Sequence, residues 1–336
     1  MQLFLIFWLI CIITLFCMQQ YKIKKLKTTK YFDNEIDTGD FEFEKFYSNL
    51  KEKYDQDELK KIEEEGKKER IQFITYSIIF LIGIMLSMIT GLATIIVIVC
   101  FIKIAIIQFQ GFAEKYKENY KQKIIKELLN SFGEEIEYLP KSGFLEKRYR
   151  YSGFGNYESY KSEDLMKIVL KDNTKMYLAE VCAKGDDSSE SFHGMVVGVQ
   201  LPKEYNKILL LRSDWKKSHK IQDFVGISFP KVELDSVKFE KNFDVYSTNR
   251  IFAMKVLTHN LMEELLRFEK DTNIHVELTI NNDELFIRYF TGEVFDPPFN
   301  SESTLNKATL YRHYQILKFT FDFVYKMTEV LNNIEE

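Results

Sequence analysis

The chain has 336 residues, enough for membrane segments and one sizeable globular domain. It is rich in Phe, Tyr, Ile and Lys, and it has only 5 prolines. A net charge of −4 is too small to imply a nucleic-acid or acidic partner, and no basic stretch with interleaved aromatics suggests one. The four cysteines are Cys11, Cys17, Cys100 and Cys182. They offer neither a disulfide framework nor a zinc spacing, which fits a reducing compartment.

The first predicted element is an apolar run from Leu3 to Met18, near the lower length limit for a membrane-spanning helix. A cleaved signal peptide would need a basic segment before the run and a small-residue site after it, and both are absent. Basic residues follow instead (Lys22, Lys24, Lys25, Lys27, Lys30), so residues 1–20 read as an uncleaved anchor with its N-terminus outside. Residues 21–70 form a charged segment. Within it Phe46, Leu50 and Tyr54 are spaced for one helix face, after a break at Gly39-Asp40.

Residues 71–109 are apolar again, too long for one crossing and suited to two short ones, with Thr90-Gly91 at the turn. Lys67, Lys68 and Arg70 precede the block, and Lys115 and Lys117 follow it. Both ends are therefore expected in the cytoplasm, and the block reads as a helical hairpin. Lys103 is expected to snorkel to the inner interface. A transport path would need an acidic partner in the membrane segments, and they contain none. Residues 110–135 repeat an apolar residue every fourth position (Phe112, Tyr116, Tyr120, Ile124, Leu128, Phe132). We expect this helix and the one before the hairpin to pair as a stalk. The alternative is that each packs separately on the domain. Lysines 115, 117, 121, 123 and 126 crowd the first turns beyond the hairpin, either as a positive-inside flank or as a site for anionic headgroups.

From Ile136 the period changes to alternation, and residues 136–336 read as a cytoplasmic α+β domain with mainly antiparallel strands and a C-terminal helix. Strands are predicted over Met176–Cys182, Phe192–Leu201, Lys207–Arg212, Ile227–Leu234, His275–Ile280 and Glu284–Tyr289. Hairpin turns fall around Asp187 and at Asn281-Asn282-Asp283. Thr258 reads as a helix N-cap. A helix over about Thr309–Asn332 is apolar on two sides, so it is expected to pack on its own sheet, the alternative being a homodimer helix.

Leu234 to Ser247, followed by Ala253–Thr258 and Leu261-Met262-Glu263, resembles the central signature of bacterial membrane proteins of unknown function, domain-of-unknown-function family 3137. Ala179-Glu180-Val181 and Phe192-His193-Gly194 are similar to two shorter motifs of that family. The resemblance covers roughly Phe43 to Phe295. It implies a bacterial membrane location and brings no reaction, cofactor or catalytic residue. Read physically, Asp235 would cap a short helix with Phe239 and Phe243 on one face, before an extended Asp244-Val245-Tyr246.

The histidines (His193, His219, His259, His275, His313) lack metal-binding spacing, and there is no phosphate loop or nucleophile elbow, so neither cofactor nor metal is expected. One constellation remains. Glu180 and Cys182 share a face of one predicted strand and lie near His193 on the next, an arrangement that could activate a thiolate. The structural alternative is a buried cysteine, a structural histidine and a glutamate bonded to backbone. The expectation is therefore a binding or scaffold module at the bacterial inner membrane with a protein partner, the alternative being an enzyme that uses Glu180, Cys182 and His193.

Overall fold

In the computed structural model the described residues are 38–53, 114–154, 157–185, 192–213, 229–297 and 307–334, with scattered helical positions between 61 and 104. The predicted anchor, most of residues 71–109 and the turn around Asp187 lie outside them. Among the described residues no helix is long and apolar enough to cross a membrane.

Eight strands form one antiparallel sheet: β1 (Glu135–Leu139), β2 (Ser159–Val169), β3 (Lys175–Lys184), β4 (Phe192–Gln200), β5 (Ile208–Ser213), β6 (Phe243–Ser247), β7 (Val276–Asn281) and β8 (Glu284–Tyr289). Their spatial order is β1-β2-β3-β4-β8-β7-β5-β6. The predicted hairpins are present as β3–β4 and β7–β8. The second turns through Asn282 at φ +53°, a conformation that asparagine tolerates better than most residues.

Helices cover one face of this sheet. They are α1 (Phe41–Lys53); α2, which runs without a break through Glu114–Tyr120, a π-helical turn Lys121–Ile125 and Lys126–Asn130; then, after α3 (Glu146–Tyr151), α4 (Val237–Glu240), α5 (Arg250–Val256), α6 (His259–Thr272) and α7 (Lys307–Asn332). Phe43 and Leu50 of α1, Ile124 and Leu128 of α2, and Leu310, Leu317 and Phe323 of α7 join Leu178, Val197, Leu278 and Ile287 of the sheet in one core. Burying one such side chain contributes about 1.5–3 kcal/mol. The C-terminal helix thus buries its stripes on its own sheet.

The described parts of the two helices flanking the apolar block, Phe41–Lys53 and Glu114–Asn130, lie in the core of the sheet domain, and the rest of the expected stalk falls outside the described residues. Asp40 caps α1 by accepting the N–H groups of Glu42 and Phe43, both at 3.1 Å. Lys307–Glu44 at 2.7 Å and Lys318–Asp40 at 2.9 Å then tie α1 to α7, and Lys53–Glu127 at 2.6 Å links α1 to α2.

The other face carries a thinner layer. Tyr149 of α3 and Phe144, Phe154 and Tyr157 cover Ala179, Val181, Phe192, Val196 and Phe286. Here Glu277 accepts Arg288 Nε at 2.7 Å and Arg212 Nη1 at 3.2 Å, while the Arg288 guanidinium stacks on Phe154 and Phe192. The triad pins β5, β7 and β8 together.

Three local expectations need correction. The described part of the expected Ile227–Leu234 strand, from Phe229 on, makes one bridge, Lys231 to Tyr246, because Pro230 has no N–H for a ladder. The cap of α4 is Ser236, whose Oγ accepts the Phe239 N–H at 3.3 Å, rather than Asp235. Phe243 belongs to β6 instead of that helix, although its ring stacks on Phe239 at 4.7 Å. The Thr258 cap is present, at 3.4 Å from the Leu261 nitrogen.

Candidate functional site

Among the described residues, a cluster of buried charge lies where α2 meets the sheet. The π-helical turn of α2 is closed by the Lys126 N–H bonding to the Lys121 carbonyl, five residues back. The extra residue widens the inward face beyond the fourfold stripe, so Ile125, Leu129 and Lys121 are buried along with Tyr120, Ile124 and Leu128. Opposite Lys121, the β2–β3 register shifts between Glu163 and Met166. Asp164 sits in that bulge at φ +59° and is 0% exposed.

Lys121 Nζ donates to Asp164 Oδ2 at 2.5 Å and lies 3.3 Å from Asp296 Oδ1 and 3.8 Å from Glu163 Oε2. Tyr138 donates to the other oxygen of Asp164 at 2.6 Å, and Lys117 donates to Asp296 Oδ2 at 2.5 Å. Burial opposes the charge on Lys121, yet Asp164 and Asp296 outweigh it and hold the ammonium above its ordinary range. Burial moves the Asp164 carboxyl the other way, upward, against the pull of Lys121.

Glu180 stands on β3 in the same neighbourhood and is 3% exposed. Its Oε1 accepts the backbone N–H groups of Val294 and Phe295 at 2.6 and 2.7 Å, which fixes the loop that presents Asp296. Burial and then the nearby Asp164 push its carboxyl up to about 8, against the two N–H donors. Oxygens of Glu163, Asp164 and Glu180 lie within 4.8 Å of one another. The Lys121 ammonium already supplies the compensating cation, so this is an ion-pair network with a proton-binding carboxyl. The Tyr120 hydroxyl, fully buried beside Asp296, has no hydrogen-bond partner.

The register places Cys182 directly opposite His193, with Glu180 two residues from Cys182 on the same face. Cys182 is a half-buried free thiol. The structure therefore brings the thiol and imidazole strands together, while Oε1 of Glu180 is turned to the Val294 and Phe295 backbone. Sequence reading singled out Glu180 but missed Lys121, Asp164 and Asp296. Lys121 lay within a run of lysines read as a membrane flank, and Asp164 in a strand too charged to be recognised. Two lysines of that run, Lys117 and Lys121, are engaged with carboxylates of the domain.

Residues 190–329 match the model of a family described as Protein of unknown function (DUF3137). The match begins later than the expected resemblance and runs on through most of α7. No curated protein sequence matches the chain. Among solved structures, the crystal structure of the mycobacterial trehalose monomycolate transport factor A, TtfA, is similar at 12% identity, covering 63% of this chain and 96% of that chain with a TM-score of 0.31. A likeness at that level carries no argument about function.

Two residues of the matched segment have clear structural roles. Gly194, in Phe192-His193-Gly194, lies where a Cβ would overlap the carbonyl oxygen of Tyr289 on β8. Asn249, two residues after β6, caps α5 by accepting the Phe252 N–H at 2.9 Å.

Proposed function

We propose that the chain is an integral membrane protein of the bacterial cell membrane whose α+β domain is a cytoplasmic binding or scaffold module for a protein partner. The observation that carries the reading is the shared core of α1 and α2. A segment that leaves one core and returns to it must cross a bilayer an even number of times, which agrees with a two-helix hairpin flanked by lysines. Described positions inside the block support this. Phe80, Val97, Cys100 and Ile104 are buried against one another, while Ile79, Ile98, Val99 and Ile102 are exposed. A Cβ on Gly83 would approach Val97 Cγ2 to 2.6 Å, the close approach that small residues permit between membrane helices. Exposed isoleucines on a packed helix pair suit lipid better than water.

The topology is tested by labelling single-cysteine variants, made in a background lacking Cys11, Cys17, Cys100 and Cys182, with an impermeant maleimide in intact cells. A cysteine at Thr90 is expected to react, and one at Lys238 only after lysis. Reaction at Lys238 in intact cells would reject the cytoplasmic placement. The scaffold reading is tested by in-cell crosslinking and mass spectrometry of the full chain. A reproducible protein partner is expected, lost when the exposed residues Val237, Ile251 and Met254 are replaced by serine or when other surface positions are scanned.

The second reading is enzymatic and rests on the opposition of Cys182 and His193. It requires that Cys182→Ala and His193→Ala each abolish complementation of a deletion strain while the protein remains folded. Full complementation by both would remove it.

A further inference from the structure

Given the scaffold reading, on which this rests, we propose that the exposed face of α5 is the docking surface and that it receives an acidic amphipathic segment of a partner protein. α5 (Arg250–Val256) buries Phe252, Ala253 and Val256 and leaves Arg250, Ile251, Met254 and Lys255 exposed. At the helical period those four side chains occupy one continuous face opposite the buried one. Met254 and Ile251 stand in its middle, with Arg250 along one border and Lys255 along the other. Ile251 is 66% exposed and Met254 39%, so the middle of the face is apolar and open. The Asn249 cap and the packing of Phe252 on Tyr205 hold the helix in place.

Charge decides the chemistry of the occupant. Other surface lysines are answered within the domain, Lys231 by Asp244 and Lys238 by Glu263. Arg250 and Lys255 have no carboxylate partner among the described residues. An apolar strip between two uncompensated cations is matched by an apolar strip bordered by acids. A second copy of this helix does not meet that requirement, because in a twofold contact every border charge would face another cation.

Register decides against lipid as the occupant. Ser247, shortly before α5, pairs with Leu209, and the ladder carries that row across the sheet to Glu135, where α2 arrives. Lys117, near the start of α2, meets Asp296 beyond the opposite end of β8. The apolar block leads into that start. The helical segment Glu114–Asn130 spans roughly 25 Å. Headgroup charge is screened over about 8 Å at physiological salt. The face of α5 therefore points to a protein at the end of the sheet remote from the apolar block.

The test is photo-crosslinking of the full chain in its own cells, with a photoreactive residue in place of Ile251 or Met254. The adducts are expected to map to a protein segment in which Asp or Glu residues border apolar ones. Arg250→Glu together with Lys255→Glu, both at exposed positions, is expected to lower the yield about tenfold or more, and replacing the acids of the mapped segment by lysine to restore it. Restoration distinguishes lost charge matching from a misfolded domain. Adducts to lipid, to a second copy of the chain or to a segment without acids would each overturn the proposal, as would a yield that charge reversal leaves unchanged. If α5 gives no adduct while other surface positions still capture a partner, this surface is rejected and the scaffold reading stands. If no position captures one, both are rejected.

Discussion

Lys121 and Asp164 meet at 2.5 Å in the interior although neither stands on a regular element: the lysine leaves a π-helical turn and the aspartate a β-bulge. Both irregularities turn a charged side chain inward, and each charge makes the other tolerable. Buried pairs of this kind add little against an apolar isostere, but breaking one leaves an uncompensated charge.

Lys121→Met is therefore expected to destabilise the protein by about 3–5 kcal/mol, and Lys121→Met with Asp164→Asn by much less. Denaturant unfolding of both variants measures the difference. A single variant as stable as wild type would show that the pair is not coupled.

His313 is expected to make the fold acid-sensitive. Burial lowers its pKa from 6.5 to about 3, with Arg312 adding to the shift, and its Nδ1 has no hydrogen-bond partner. An unfolded chain takes up a proton on this ring below about pH 6.5, whereas the folded chain does so only near pH 3. Its contribution is thus fully present above 6.5 and is lost as pH falls toward 3. His313→Leu should flatten the decline in stability between pH 7 and 4, measured by urea midpoints. An unchanged slope would place the acid sensitivity elsewhere.

Gly194→Ala is expected to cost about 3 kcal/mol or more, at the upper end for overpacking, because the obstacle is the Tyr289 backbone in a paired strand. Gly133→Ala, with open space around its Cβ but φ +67°, should lose less. Thermal melting of the two variants orders them, and a melt for Gly194→Ala equal to wild type would refute the close approach.

The caps around β6 discriminate between sequence expectation and structure. Ser236→Ala and Asn249→Ala should each destabilise by about 1 kcal/mol, and Asp235→Ala by much less. If Asp235→Ala proved the costlier of the two changes at the start of α4, the cap would be the one that spacing first suggested.

Features set within a few residues were legible in the chain itself. The Asn281-Asn282-Asp283 turn, the Thr258 cap, the strands β3 and β4 and the length of the last helix all follow from local backbone preference and hydrophobic pattern. The strand β2 was not legible, because charged residues stand at several of its exposed positions and the bulge breaks its alternation. The fate of the two helices flanking the apolar block was equally hidden, since an apolar stripe states that a face is buried but not against what.

The sequence by itself determined the α+β class, the hairpins, the Thr258 cap and the place of the apolar block. The tertiary structure decided the placing of β8 and β7 between β4 and β5, the gathering of α1 and α2 onto one sheet, and the inward turn of Lys121 toward Asp164 and Asp296. The physical reason is range. Turns and caps are settled by neighbours in the chain, whereas a lysine in a run of lysines becomes a buried ion-pair partner only when residues 43 and 175 positions further along are folded against it.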